Sequence, residues 1–148
     1  FTNISDFPSN IRHYIAEQSK RYLENDSIFI FFKTLESLRV ENKLHTINTS
    51  KITNDTPKTD ILYDDNYVWI ESVNVFAKIK LACQNEGILF DLSRQELYQK
   101  LESEKLLITK DNRRSYEYRK GQFRQSVICL PRNNINRYFA DDKEDIKL

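Results

Sequence analysis

The side chains of this sequence that could do chemistry are mainly cations, and they are crowded into one stretch. Residues 105–137 hold 9 basic and 2 acidic side chains (net +7), whereas residues 1–104 hold 12 basic and 16 acidic ones (net −4). The whole chain carries only +1. A charge run that merely keeps a face in water usually mixes both signs. This asymmetry is therefore typical of a surface that binds phosphate groups.

The sequence lacks the usual patterns of nucleotide and metal sites. A phosphate-binding loop needs G-x-x-x-x-G-K-[ST], and the only two glycines, Gly87 and Gly121, lie far apart. Cys83 and Cys129 stand alone, and the two histidines of the chain belong to no ligand-spaced cluster. The sequence therefore predicts no cofactor, no metal and no enzymatic activity for this chain.

Four carboxylates leave one enzymatic alternative open. Asp60, Asp64, Asp65 and Glu71 could in principle hold Mg²⁺ for a nuclease. The Asp64-Asp65-Asn66 run, however, lies between two short apolar segments and is equally typical of a β-turn. The sequence favours the turn.

The N-terminal part of the chain predicts two helices and a loop. Apolar residues at near-helical spacing predict a helix over residues 10–24 and a second over residues 28–43, the second capped by Asp26. A short extended piece, 44–47, follows. Residues 48–60 are rich in Thr, Asn, Asp and Ser without periodicity, which predicts a long, mobile loop.

The middle of the chain predicts a small hairpin and a third helix. Residues 61–63 and 67–70 are the expected strands, with Trp69 as a core anchor. Ser72 can cap the third helix, and Gly87 supplies the left-handed residue that ends it.

A capped helix follows over residues 93–104. Ser93 and Glu96 have the spacing of a capping box, and Leu97 and Leu101 form an apolar stripe for the core. The helix then offers polar side chains to a partner, and its N–H groups attract phosphate. These side chains are Arg94, Gln95, Tyr98, Gln99 and Lys100.

Residues 109–124 predict an antiparallel ribbon with a basic tip. Its cations would contact phosphates or the minor groove. They are Lys110, Arg113, Arg114, Arg119, Lys120 and Arg124. Tyr116 and Tyr118 allow two interpretations, because alternating tyrosines either stack on unpaired bases or pack against neighbouring strands.

This order of elements is that of a winged helix-turn-helix domain. We expect an α+β fold: a winged helix-turn-helix with an N-terminal helical extension and a basic β-hairpin wing. The expected parts are an N-terminal helical segment (1–43), the winged-helix domain (44–137) and an acidic tail (138–148). The expected partner is DNA, either double-stranded or single-stranded. The alternative is a winged helix that uses the same faces to dock a replication partner or regulatory protein.

Four segments resemble the C-terminal region of self-loading, MCM-like AAA+ replicative helicases. Such helicases are carried by staphylococcal cassette chromosomes, pathogenicity islands and related phages. The segments are FFKTLESL (31–38), YVWI (67–70), LYQKLESEKLL (97–107) and GQFRQSVI (121–128). The resemblance implies a winged-helix module that contacts origin or template DNA and supports replication initiation. It also implies an upstream ATPase, with helicase protomers or a regulatory protein as further partners.

Two features of the sequence bear on its context. The chain contains no methionine and begins with Phe1, which favours a piece of a longer protein. No apolar run approaches the roughly 20 residues needed to cross a bilayer, and the N-terminus lacks the order of a signal peptide. The sequence therefore predicts a cytoplasmic protein without a membrane partner.

Overall fold

The computed structural model describes residues 26–139, which form a mixed α+β structure with one five-stranded sheet. The α-helices are α1 (Ser27–Val40), α2 (Asn74–Asn85), α3 (Arg94–Ser103) and α4 (Arg132–Ile135). The strands are β1 (Thr46–Asn48), β2 (Ile61–Tyr63), β3 (Tyr67–Glu71), β4 (Ser115–Lys120) and β5 (Phe123–Pro131). None of these helices is long and apolar enough to cross a membrane. The helix expected over residues 10–24 and most of the expected tail lie outside the described residues.

The strands lie in the order β1-β2-β3-β5-β4. β1 runs parallel to β2, and every other pair is antiparallel. Strand β3, which precedes α2 and α3, therefore forms its ladder hydrogen bonds with β5, the second strand of the β4–β5 hairpin. β4 forms one edge of the sheet. The α+β class and the expected 61–70 hairpin are confirmed.

Helix α1 begins as the sequence predicts. The Asp26 carboxylate accepts a hydrogen bond from the Phe29 backbone N–H at 3.1 Å, and this satisfies one of the free donors of the first turn. The helix ends at Val40 rather than at residue 43. Asn42 takes a left-handed conformation (φ +60), and the Lys43 N–H bonds back to the Leu38 carbonyl at 2.9 Å.

The sheet separates two apolar clusters. The inner cluster joins the sheet to α1, α2 and α3, and Leu97 and Leu101 are fully buried in it, as predicted. It also takes in Phe139, whose ring contacts Phe32, so the chain still packs in the core where the acidic tail was expected to begin. The outer cluster lies on the opposite side of the sheet. Its members are Ile52, Leu62, Trp69, Phe123, Val127 and Cys129.

Helix α2 is not capped by Ser72, so this prediction is wrong. Ser72 is buried, and its hydroxyl lies 2.6 Å from that of Ser126. The Glu71 carboxylate instead accepts from the N–H groups of Val73 and Val75, each at 3.0 Å, and from that of Asn74. Because the helix begins at Asn74, Ser72 lies one residue before the N-cap position. A carboxylate also suits the positive end of the helix dipole.

Residues 49–59, which we call the strap, were predicted as part of a mobile loop but are tied to the β4–β5 hairpin. The Gln125 side chain accepts from the Thr59 N–H at 2.8 Å and donates to the Thr59 carbonyl, and both residues are buried. At the hairpin tip, Asn54 Oδ1 accepts from the Gln122 N–H at 3.0 Å. A Cβ on Gly121 (φ +59) would lie 2.5 Å from that oxygen. These partners are far apart in sequence, so no local pattern could reveal them.

Candidate nucleic-acid interface

Helix α3 has the predicted capping box. The Ser93 hydroxyl accepts from the Glu96 N–H at 3.1 Å, and the Glu96 carboxylate accepts from the Ser93 N–H at 2.8 Å. These hydrogen bonds hold the pKa of Glu96 below its usual range. The helix therefore begins at Arg94, which places that guanidinium in the first turn. The Glu96 carboxylate also occupies the end of the helix where a phosphate was expected to bind.

A tight turn projects from the sheet edge between α3 and β4. Ile108 pairs with Cys129, and Ser115 pairs with the adjacent Ile128, so residues 109–114 loop out between two neighbouring positions of β5. We call them the edge turn. Lys110 and Arg113 exchange two backbone hydrogen bonds of 2.9 Å. The two residues between them have φ +53 and +64, which Asp111 and Asn112 tolerate better than most side chains.

The edge turn and α3 bound an open groove of about 700 Å³. Five of the eleven predicted contact residues line it: Arg94, Gln95, Tyr98, Arg113 and Arg114. Glu102 also lines it, and its carboxylate lies 2.6 Å from Arg114 Nε. Within residues 26–139, Arg94 and Arg113 form no ion pair. The groove therefore holds three arginines and one carboxylate that neutralises part of their charge.

Two further predicted cations lie on the groove side of the hairpin. Arg119 and Arg124 are cross-strand partners, so they share a face of the sheet. It is the face of Ile128, which packs in the inner cluster beneath the helices. Arg119 also pairs with Glu117 at 2.8 Å. Both arginines are exposed and extend the basic surface along the hairpin.

The remaining predicted residues do not join the groove. Lys110 Nζ lies 5.0 Å above the Tyr116 ring, on the outer side of the sheet. Lys120 also lies on that side, where its ammonium donates to the Thr49 carbonyl. Gln99 and Lys100 are exposed on α3. Lys100 is about 140° round the helix from Gln95, whereas Gln99 is only about 40° away and flanks the groove.

Tyr98 lines the groove but offers a partner almost no surface, in contrast to the expected exposed polar contact. Its side chain is 5% exposed, and its hydroxyl donates to the Ser72 carbonyl at 2.7 Å. Burial raises the pKa of Tyr98 well above its usual range. The sequence held a usable signal, because Tyr98 lies on the same side of the helix as its neighbour Leu97 and as Leu101, three positions later.

Tyr116 and Tyr118 pack across strands on the outer side of the sheet. The Trp69 indole N–H donates to the Tyr116 hydroxyl at 3.0 Å, and the Tyr118 ring lies 5.1 Å from the Trp69 ring. Burial raises the pKa of Tyr116 to about 12 and also raises that of Tyr118. Both rings stay partly exposed. Cross-strand packing is therefore present, and it leaves part of each ring accessible.

Three of the four carboxylates considered for a metal site have separate structural roles. Glu71 caps α2, and Asp64 accepts from the N–H groups of Asn66 and Tyr67 in the hairpin turn. Asp60 accepts from the His45 N–H at 2.8 Å. Within residues 26–139, no cluster of three or more His, Cys, Asp or Glu side chains could hold a metal ion. The described residues give the nuclease alternative no support.

Comparison of the chain with protein-family models and with curated proteins gives no match. The chemistry of the groove is therefore inferred from its own side chains. These combine guanidinium groups, which suit phosphates, with an exposed glutamine amide at the start of a helix.

Proposed function

We propose that this chain is a winged-helix module that binds duplex DNA in the groove between α3 and the edge turn. The order of α1, β3, α2, α3, β4 and β5 supports the fold assignment. So does the pairing of β3 with β5, which backs the two helices with a three-stranded antiparallel sheet. In this arrangement α3 is the recognition helix, and the hairpin with the edge turn is the wing.

The observation that carries the proposal is the meeting of Arg94, Arg113 and Arg114 along one open groove. Guanidinium groups bind phosphates in a bidentate way and also pair with guanine edges. Gln95 lies among them with its amide exposed, and such an amide can pair with adenine. In this proposal Arg94 and Gln95 read bases, while the edge turn contacts the phosphate backbone of the DNA.

Two ion pairs within the chain occupy arginines that would otherwise contact DNA, but these pairs are weak. In the Arg114–Glu102 and Arg119–Glu117 pairs, every side chain is more than 40% exposed. Exposed pairs of this kind contribute about 0 to 1 kcal/mol. A phosphate that displaces the carboxylate therefore has to compensate for only a small free energy of ion pairing.

The wider context follows from the family resemblance. We place the module in a replication helicase or initiator of a mobile genetic element, where it would hold origin or template DNA beside an upstream ATPase. A winged helix that docks a protein instead would leave the same groove without affinity for DNA.

Fluorescence anisotropy with duplex DNA at two salt concentrations tests the proposal. If the groove and the hairpin neutralise about five phosphates, log K should fall against log salt with a slope of about −4.5. The Arg113→Ala, Arg114→Ala double variant should reduce that slope by up to about 2. An unchanged slope would remove the edge turn from the interface. The absence of binding at low salt would overturn DNA binding and favour the protein-docking alternative.

A further inference from the structure

We propose that the outer side of the β4–β5 hairpin carries a second site, which binds single-stranded DNA by base stacking. A hollow of about 470 Å³ lies there, beside the edge turn. Its aromatic lining comes from Trp69, Tyr116 and Tyr118. Its cations are Lys110 and Arg113 of the edge turn, together with Arg119 of the edge strand β4, whose side chain belongs to the inner face and pairs with Glu117.

The aromatic rings of the hollow are fixed in place before any ligand binds. Trp69 is held by its hydrogen bond to Tyr116 and by ring contacts with Tyr118 at 5.1 Å and Tyr67 at 5.7 Å. Lys110, a residue of the edge turn, lies over one face of the Tyr116 ring. This face of the ring is therefore directed towards the edge turn and not into the core. Stacking on such a preorganised surface loses little side-chain freedom.

The lining favours an unpaired nucleotide over other occupants. Asp111 and Glu117 also line the hollow. Because Glu117 pairs with Arg119, the remaining charges are the cations Lys110 and Arg113 against the single carboxylate of Asp111. Each nucleotide of a single strand brings one phosphate for the cations and one base with a free π face for the rings. A base inside a duplex is covered by its neighbours and offers no such face. An apolar peptide would gain nothing from the cations.

The hollow lies next to the proposed duplex groove. Arg113 lines both, and the edge turn stands between them. Taken with the proposed duplex binding, on which this step rests, the two sites together fit a junction between duplex and single-stranded DNA. The edge turn would then lie where the strands part.

Trp69 gives a direct readout, because it is the only tryptophan of the chain. The probes are an oligothymidylate of about 10 nucleotides, a blunt duplex, and the same duplex with a thymidylate tail. We expect the oligothymidylate to quench the fluorescence of Trp69. Tyr118→Ala should weaken oligothymidylate binding at least about fivefold and leave the affinity for blunt duplex unchanged. The tailed duplex should bind more tightly than either probe alone.

Two more variants keep the test decisive. Tyr118→Phe retains the ring and should recover most of the affinity that Tyr118→Ala loses. Lys110→Glu changes an exposed side chain, so it should weaken oligothymidylate binding without unfolding the chain. An absence of quenching at low salt would overturn the site. An unchanged affinity of the Lys110→Glu variant, an equal loss in Arg94→Ala, or tighter binding of oligouridylate would also overturn it. Intact oligothymidylate binding without any duplex binding would support this site and overturn the proposed duplex groove.

Discussion

The two sides of the β4–β5 hairpin differ in the partners of their polar side chains. On the outer side the strap binds the hairpin through Gln125, Asn54 and Lys120, all of which contact polar groups of this chain. On the inner side, Arg94 and Arg113 stand along an open groove without a carboxylate partner among residues 26–139. Polar side chains that face the chain stabilise its fold, whereas those left unpaired at a groove are available to a ligand. Stability and affinity should therefore respond to changes on opposite sides.

The largest effect is expected on the strapped side. Gln125→Ala removes both hydrogen bonds to Thr59 and leaves its buried N–H and carbonyl without a partner. Each orphaned group costs about 1 to 3 kcal/mol, so the free energy of unfolding should fall by about 2 to 6 kcal/mol. Urea unfolding measures this change. Gln122→Ala is the matched control, because its side chain is exposed and only its backbone N–H bonds to the strap. Equal stability of the two variants would contradict a supporting role for the strap.

The next effect belongs to the open side and concerns affinity. Arg94→Ala should weaken duplex binding about tenfold, since a bidentate arginine contact to a base contributes about 1 to 3 kcal/mol. Lys100→Ala removes a cation from the same helix, on a face turned away from the groove, and should change affinity much less. Neither substitution should alter the free energy of unfolding by more than about 0.5 kcal/mol. Anisotropy titrations and urea unfolding of both variants check this. Equal losses of affinity would show that only net charge matters.

A smaller effect, of opposite sign, should come from a carboxylate in the groove. Glu102→Gln releases Arg114 from its 2.6 Å ion pair and removes a negative charge from the proposed DNA-binding groove. Duplex affinity should rise about two- to fivefold, consistent with the modest strength of an exposed pair. Glu104→Gln makes the same charge change at the end of α3, outside the groove, and serves as the control. A gain in the control as large as that in Glu102→Gln would remove the special role of Glu102.

The same two sides show which contacts can be predicted from the sequence and which cannot. The capping box at Ser93 and the buried Leu97 and Leu101 could be predicted because their partners lie within a few positions along one helix. The Gln125–Thr59 contact could not, since its partners are 66 positions apart and meet only once the sheet has formed. The same limit applies to the expected cations. The sequence assigns Lys110, Arg113 and Arg114 to a basic ribbon, but it does not reveal the jump in strand pairing that projects residues 109–114 beside α3.

The smallest predicted effect is a pH dependence on the outer side. Burial raises the pKa of Tyr116 from 10.0 to about 12, whereas in the unfolded chain its hydroxyl ionises near pH 10. The folded state therefore binds more protons than the unfolded state across this window. The stabilisation from neutral Tyr116 is complete below about pH 10 and is lost as the pH rises towards about 12. Tyr116→Phe should lower stability at neutral pH, through the lost hydrogen bond from Trp69, but should flatten the alkaline decline. Urea unfolding at about pH 9 and about pH 11 separates the two effects.

Tyr67→Phe, a substitution at an exposed ring on the same side, should leave the decline as steep as in the unmodified chain. If Tyr116→Phe also leaves it unchanged, the Tyr116 hydroxyl is open to water, and the outer side is less closely packed than the strap contacts imply.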